Sequence, residues 1–242
     1  EADREGNIEE ILPCKNQLVR PASANVAQAL IVFAITKPEP NFNLLDRFLI
    51  CMEQQKLPAV ICFNKKDLAD FKEQKELEGF YGKSGYPVLF ASGEKEQGIE
   101  EIRSCLKGKT TVVAGPSGVG KSTIINRLYP GANMETGEIS KKTLRGKHTT
   151  RHAQLFALSE DTFIMYTPGF TALSLGDMDN ETLKEFYPEF AEFTENCRFG
   201  GCAHVSEPSC GVKEALAEGK ISQVRYDNYV TLYEELKSRT KY

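Results

Sequence analysis

Apolar residues along the chain fall into short unbroken runs, separated by stretches with a three-to-four-residue beat. Ala29-Leu-Ile-Val-Phe-Ala34 has the continuous character of a strand buried on both faces of a parallel sheet. The same texture recurs at Ala59–Phe63, Val88–Ala91, Thr110–Ala114 and Phe163–Tyr166. Between them, Leu44, Leu45, Phe48, Leu49 and Met52, and later Ile99, Ile102 and Leu106, repeat at helical spacing. Strands alternating with helices predict an α/β fold with a doubly wound, mostly parallel sheet. The alternation stops near Gly176. Beyond it the chain is acidic and aromatic, then rich in cysteine, then helical, with Ile221, Val224, Tyr229, Leu232, Tyr233 and Leu236 on one stripe. Residues 177–242 therefore read as a small appended domain. At the other end, Ile8–Leu12 reads as a short strand with no partner strand before it.

Composition narrows the class. The chain has 242 residues, 40% hydrophobic and 26% charged, enough apolar content for a sizeable core and too much for disorder. No stretch approaches the ~18 consecutive apolar residues of a membrane span, and no basic-then-apolar leader opens the sequence. A net charge of −4 argues against coating nucleic acid by bulk electrostatics and leaves room for local patches. The seven cysteines are an odd number, three of them clustered near the end. That pattern reads as reduced thiols plus a metal site in a soluble, cytoplasmic protein without membrane contact, expected to be a monomer. Cys14, Cys51, Cys62 and Cys105 stand singly in apolar, strand or helix settings and are expected as core thiols.

Gly115-Pro-Ser-Gly-Val-Gly-Lys-Ser122 matches the phosphate-loop pattern, follows a strand run and opens a helical one. Its glycines let backbone N–H groups turn inward around phosphate oxygens at a helix N-terminus. Lys121 is placed to reach the β- and γ-phosphates and the Ser122 hydroxyl to ligate Mg²⁺. This loop alone names neither base nor reaction, since a nucleotide kinase can carry a very similar one.

Asn64-Lys-Lys-Asp67 directly follows the run Ala59–Phe63, at the strand edge where open α/β sheets bind ligands. A carboxylate at Asp67 can accept from guanine N1–H and its 2-amino group. Asn64 approaches the O6/N7 edge, and the Lys65 stem lies along the base plane. Adenine lacks that donor pair and is rejected. Ala91-Ser92-Gly93, past the next strand, is placed for a backbone N–H to meet the guanine oxygen. The order is inverted relative to the usual GTPase, with the base-reading motif ahead of the phosphate loop. A circular permutation keeps such a site closed. A kinase reading has no role for Asn64 and Asp67.

In the polar stretch Gly146-Lys-His-Thr-Thr-Arg151, Thr149 and Thr150 are candidates for a second Mg²⁺ ligand, with Thr150 preferred. Tyr166-Thr-Pro-Gly169 occupies the place of an Asp-x-x-Gly element. Gly169 fits it, and its N–H would meet the γ-phosphate, but the uncharged Tyr166 stands where a carboxylate is expected. Phe170 is apolar where Ras-like enzymes have a water-positioning Gln, leaving His148 as the nearest polar candidate to orient water. Cys197-x₄-Cys202-x-His204-x₅-Cys210 supplies the number and type of ligands for a closed, structural, tetrahedral Zn²⁺ site.

Order, motifs and cysteine cluster together resemble the RsgA or YjeQ family of circularly permuted, zinc-containing ribosome-assembly GTPases. The resemblance runs through Ile8–Pro13, Arg20-Pro21, Ala24-Asn-Val26, the Asn-Lys-Lys-Asp and phosphate-loop motifs, His148-Thr-Thr150, Thr167-Pro-Gly-Phe170 and the Cys₃His cluster. It implies an N-terminal OB barrel, of which residues 1–14 would be a remnant. It also implies a permuted GTPase domain over 15–176 and a zinc domain over 177–242. It implies GTP hydrolysis stimulated by the small (30S) ribosomal subunit during that subunit's late maturation. The GTP-binding set it implies is Asn64, Lys65, Lys66, Asp67, Ser92, Gly115, Pro116, Ser117, Gly118, Val119, Gly120, Lys121, Ser122, Thr123 and Gly169. Lys121, Thr150 and His148 would be catalytic, His148 matching the family's proposed catalytic histidine. RNA contact would come from local cations such as Lys141, Lys142, Arg145, Lys147 and Arg151. The alternative is a GTP- and GDP-dependent ribosome-binding module with weak turnover, because Tyr166 replaces the family's usual Asp.

Overall fold

The computed structural model describes residues 13–14, 16–18, 23–134, 153–167 and 173–239. Two short strands, β1 (Gln17–Leu18) and β2 (Ser23–Ala24), pair antiparallel at the start. Then come β3 (Gln28–Ala34), α1 (Phe42–Gln54), β4 (Ala59–Asn64), α2 (Phe71–Tyr81), β5 (Val88–Phe90) and α3 (Ile99–Leu106). These are followed by β6 (Thr110–Ala114), α4 (Lys121–Leu128), β7 (Gln154–Ala157) and β8 (Phe163–Tyr166). The C-terminal region is helical, with the single turn α5 (Ala191–Thr194), then α6 (Gly211–Ala217) and α7 (Gln223–Arg239).

The strands of the main sheet lie in the order β5-β4-β3-β6-β8-β7, and all neighbours are parallel except the edge pair β7–β8. Every residue of β3 is buried, because helices cover both faces. Leu30, Val32 and Ala34 pack with Ile102 and Leu106 of α3 and with Ile124 and Ile125 of α4. Ile31 and Phe33 pack on the other side with Leu45, Phe48 and Leu49 of α1. The strand period of two thus divides one apolar run between two cores.

All five strands expected from apolar runs are present in this sheet. Among the elements outside those expectations are β7 and α2. The edge strand β7 is mostly exposed although the apolar run Leu155-Phe-Ala-Leu158 starts within it, with Leu155 itself facing solvent. α2 buries only Leu77 and Tyr81, and a capping box between Asp70 and Glu73 fixes its start.

The C-terminal region packs on the α1 face, where Leu183, Tyr187, Phe190, Tyr229, Leu232 and Leu236 join the core of that face. Its stripe differs from the expected one. Val224 and Tyr233 are half-buried, while Arg225 is fully buried in the first turn of α7. Cys51 and Cys62 are buried and Cys105 is half-buried, but Cys14 is exposed and donates to the Asn16 carbonyl at 2.9 Å. It is therefore no core thiol, since Pro13 and Cys14 both lie on the surface. No helix among the described residues is long and apolar enough to cross a membrane.

Candidate nucleotide site and cysteine cluster

The loop after β6 is shaped by backbone that a side chain would obstruct. Gly115 has φ 140°, and a Cβ there would lie 2.1 Å from the Val32 carbonyl oxygen. Gly120, with φ 93°, sits against Asn64, where a Cβ would lie 2.2 Å from Asn64 Nδ2. Val119 is buried in the α3–α4 core, whereas Ser117 and Gly118 face solvent. Lys121, Ser122 and Thr123 form the first turn of α4. Lys121 is buried, and its ammonium donates to the carbonyls of Gly115 at 2.9 Å and Pro116 at 2.7 Å. Burial pushes its pKa down from 10.5 to about 8.

Asn64 ends β4 and ties two other segments together. Its Nδ2 donates to the Val119 carbonyl at 2.8 Å, and its Oδ1 accepts from the Gly93 N–H at 3.0 Å. Lys65 takes the left-handed conformation, φ 65°, and its ammonium donates to the Gly118 carbonyl at 2.8 Å and to the Lys37 carbonyl. Desolvation lowers the Lys65 pKa against the opposing charge of Asp67. Lys66 and Asp67 begin a short helical turn. Asp67 Oδ1 is buried with no hydrogen-bond partner among the described residues. A buried acceptor in that condition costs free energy until a donor reaches it.

Ser92 is fully buried and closes the following loop. Its N–H donates to the Gln97 carbonyl and its hydroxyl accepts from the Lys95 N–H at 3.0 Å. The N–H of Ala91 goes to the Phe63 carbonyl and that of Gly93 to Asn64. The three backbone N–H groups of this segment, one of which was expected at the guanine oxygen, are thus all bonded within the protein. That of Gly93 alone aligns Asn64. Arg127, which the sequence reading passed over, donates to the Gly93 carbonyl from the last turn of α4. A lone cation near a helix end carries no signal of that reach. Thr150, His148, Thr149, Gly169, Phe170 and the cations Lys141, Lys142, Arg145, Lys147 and Arg151 lie outside the described residues. Tyr166, the last residue of β8, is half-buried against the α3–α4 core.

The cysteine cluster is a separate centre in the C-terminal region. Ligand atoms of Cys197, Cys202, His204 and Cys210 all lie within 4.8 Å of one another. Cys197 Sγ is 3.8 Å from Cys210 Sγ, and His204 Nδ1 is 3.5 and 3.3 Å from those two sulfurs. The edges of a tetrahedral zinc site with three thiolates and one imidazole are about 3.8 Å between sulfurs and about 3.5 Å from sulfur to nitrogen. The donor set fits zinc in kind and in spacing. Burial pushes the Cys202 thiol up to about 12 and the His204 imidazole down to about 4, and it also raises Cys210. The Tyr226 hydroxyl donates to the His204 carbonyl at 2.7 Å, and the Tyr229 hydroxyl to the Ala203 carbonyl at 2.6 Å, so α7 braces the ligand loop.

A mostly parallel sheet with a phosphate loop after β6, and an Asn-Lys-Lys-Asp loop after the earlier strand β4, has the architecture of a circularly permuted GTPase. The RsgA GTPase family model matches residues 11–176. The chain is 58% identical over 237 residues to the small ribosomal subunit biogenesis GTPase RsgA of Agathobacter rectalis, covering 98% of this chain and 78% of that protein. It is 48% identical to the protein of the same description from Caldanaerobacter subterraneus, over 99% of this chain and 81% of that one. Among solved structures it is similar to YjeQ from Thermotoga maritima, with TM-score 0.79 and 38% identity over 96% of this chain and 78% of that chain. YloQ, described as a circularly permuted GTPase, matches with TM-score 0.77 and 35% identity over 99% and 78% of the two chains. The chain belongs to the RsgA GTPase family, and it is a GTP hydrolase.

Proposed function

We propose that this GTPase assists late maturation of the small ribosomal subunit, hydrolysing GTP to GDP and phosphate under stimulation by that subunit. Its relatives are described as small ribosomal subunit biogenesis GTPases, which supports the ribosomal part. The observation that carries the nucleotide part is Asn64, bonded at once to the phosphate loop through Val119 and to the following loop through Gly93. Beside it, the unpartnered Asp67 Oδ1 accepts from guanine N1–H and the 2-amino group. Lys65 lies along the base, Lys66 and Ser92 hold the flanking loops, and residues 115–123 surround the phosphates.

Lys121 charges against the β- and γ-phosphates. The Ser122 hydroxyl, a hard oxygen donor at the first turn of α4, and Thr150 hold Mg²⁺, which neutralises phosphate charge when bound. Gly169 donates its N–H to the γ-phosphate, and His148 orients the attacking water. Zn²⁺ at Cys197, Cys202, His204 and Cys210 is structural, since all four positions are filled by protein. Residues 1–14 belong to an N-terminal barrel, 15–176 form the GTPase domain and 177–242 the zinc domain. The protein works in the cytoplasm, and its partners are GTP or GDP and the subunit with its rRNA.

Tyr166 favours a second reading, a nucleotide-gated ribosome binder with slow turnover, because an uncharged phenol ends β8 where a carboxylate assists Mg²⁺. Phosphate release from GTP, with and without small subunits, in the parent and in Tyr166→Asp, tests both. Turnover by the parent that subunits accelerate supports the first reading. Turnover confined to Tyr166→Asp supports the second, and no response to subunits in either protein sinks the ribosomal role.

A further inference from the structure

We propose that Arg127 is a positioning residue for guanine recognition. From the phosphate-binding helix it fixes the loop Gly93–Glu96, whose backbone aligns Asn64 with the base. The inference rests on the guanine reading above and adds a residue which that reading does not use.

The geometry runs through one glycine. Arg127 Nε donates to the Gly93 carbonyl at 2.9 Å, and the same guanidinium meets Glu96 Oε1 at 2.6 Å. The N–H of Gly93 points the other way, to Asn64 Oδ1 at 3.0 Å. Gly93 is therefore held through its carbonyl by Arg127 and holds Asn64 through its amide. The loop is closed at its base by paired backbone bonds between Ser92 and Gln97, and it bends at Glu96, φ 56°. Gly93 also lies flat on the start of α4, where a Cβ would be 3.2 Å from Thr123 Cγ2 and 3.3 Å from the Ile124 nitrogen. The base-reading loop is clamped to α4 at both ends, by close packing at the first turn and by Arg127 at the last.

An exposed ion pair by itself contributes little. Here the planar fork engages a backbone carbonyl and a carboxylate together, which specifies a geometry and not merely an attraction. A lysine ammonium could satisfy one of those acceptors without fixing the other. The phosphates are bound by different atoms, those of residues 115–123. Loss of Arg127 should thus loosen the base and leave the phosphate contacts intact.

The test uses the full chain, as parent and as Arg127→Ala, Arg127→Lys and Asp67→Asn. Dissociation of a fluorescent GDP is timed, and competition by GDP, IDP and pyrophosphate is measured. IDP lacks the 2-amino group, and pyrophosphate reports the phosphate loop alone. Arg127→Ala should release GDP about tenfold faster, as expected for a lost charge-assisted hydrogen bond. It should also narrow the preference for GDP over IDP and leave pyrophosphate competition unchanged. Arg127→Lys should fall between parent and Arg127→Ala. A release rate within twofold of the parent overturns the inference. So does parallel weakening of GDP and pyrophosphate, which would make Arg127 a general support of α4. If Asp67→Asn keeps the full preference for GDP over IDP, the guanine reading fails and takes this inference with it. If Asp67→Asn loses that preference while Arg127→Ala keeps it, only the role of Arg127 fails.

Discussion

The guanidinium of Arg225 lies 2.6 Å from Asp46 Oδ1, with no side-chain surface of either residue exposed. The same group donates to both oxygens of Glu189, at 2.7 and 3.0 Å, and sits 4.4 Å from the centre of the Tyr187 ring. Asp46 further accepts from the Tyr81 hydroxyl at 2.9 Å and the Asn228 amide at 2.8 Å. Helices α1, α2 and α7 thereby meet at one buried charge centre. Removing the cation would leave two carboxylates without compensation. Arg225→Ala should lower unfolding stability by about 3–5 kcal/mol, measured by urea denaturation. A loss under about 1 kcal/mol would show that the centre relaxes or hydrates.

Gly120 and Asn64 cannot both keep their places once a methyl is added. Gly120→Ala combines a strained positive φ with a Cβ 2.2 Å from Asn64 Nδ2. Asn64 should be pushed off the Val119 carbonyl, at a cost of about 1–3 kcal/mol in stability. We expect GDP affinity to fall at least about tenfold, read by titration calorimetry. Parent-like affinity would mean that Asn64 is not held by this contact when nucleotide binds.

Lys121 gives the site a pH dependence whose sign is fixed by burial. Its amine has a pKa near 8 in the folded chain against 10.5 normally. The stability cost of burying the charged form is fully present below pH 8 and lifts between 8 and 10.5. Phosphate binding favours the charged form, so affinity should be greatest below pH 8 and decline above it, with proton uptake on binding. Lys121→Arg, whose guanidinium stays charged, should flatten that decline. An unchanged profile in the arginine variant would remove Lys121 as its source.

Zinc uptake should release protons in a definite pattern. The Cys202 thiol, near 12, and the raised Cys210 thiol must ionise to bind metal, while His204, near 4, is already neutral. Adding Zn²⁺ to chelator-treated protein at pH 7 should release at least two protons per metal, one from each of these thiols, and none from His204. A pH indicator in weak buffer reads the number directly. Release of fewer than two would mean that the ligand set is incomplete. Cys210→Ser should lower both the proton count and the zinc affinity.

Much of this was legible locally. Both faces of β3, β4 and β6 are covered, so unbroken apolar runs announced those strands almost to the residue, and the half-buried β8 followed the same pattern. The phosphate loop, the Asn-Lys-Lys-Asp turn and the Cys₃His ligands were readable because each packs its chemistry into a few consecutive positions. The edge strand β7 was missed for a different reason: Leu155-Phe-Ala-Leu158 is an apolar run short enough for a loop segment to hold, and the strand is mostly exposed rather than buried on two faces. α2 was missed too, with its buried face reduced to Leu77 and Tyr81.

The sequence by itself determined the strand-forming segments, the motif order and the ligand types, because period and short-range spacing encode burial and local geometry. Which distant groups meet was decided only by the tertiary structure. Arg225 and Asp46 are 179 positions apart, and Asn64 and Val119 are 55 apart. Nothing in either neighbourhood specifies the other. The strand order β4-β3-β6 sets the two nucleotide loops side by side on one sheet edge. The packing of α7 on the α1 face turns an arginine inward to two carboxylates. The fold of the ligand loop turns Nδ1 of His204 toward the thiols. A charge can be buried only where its partner is already in place, and that place is a property of the assembled sheet.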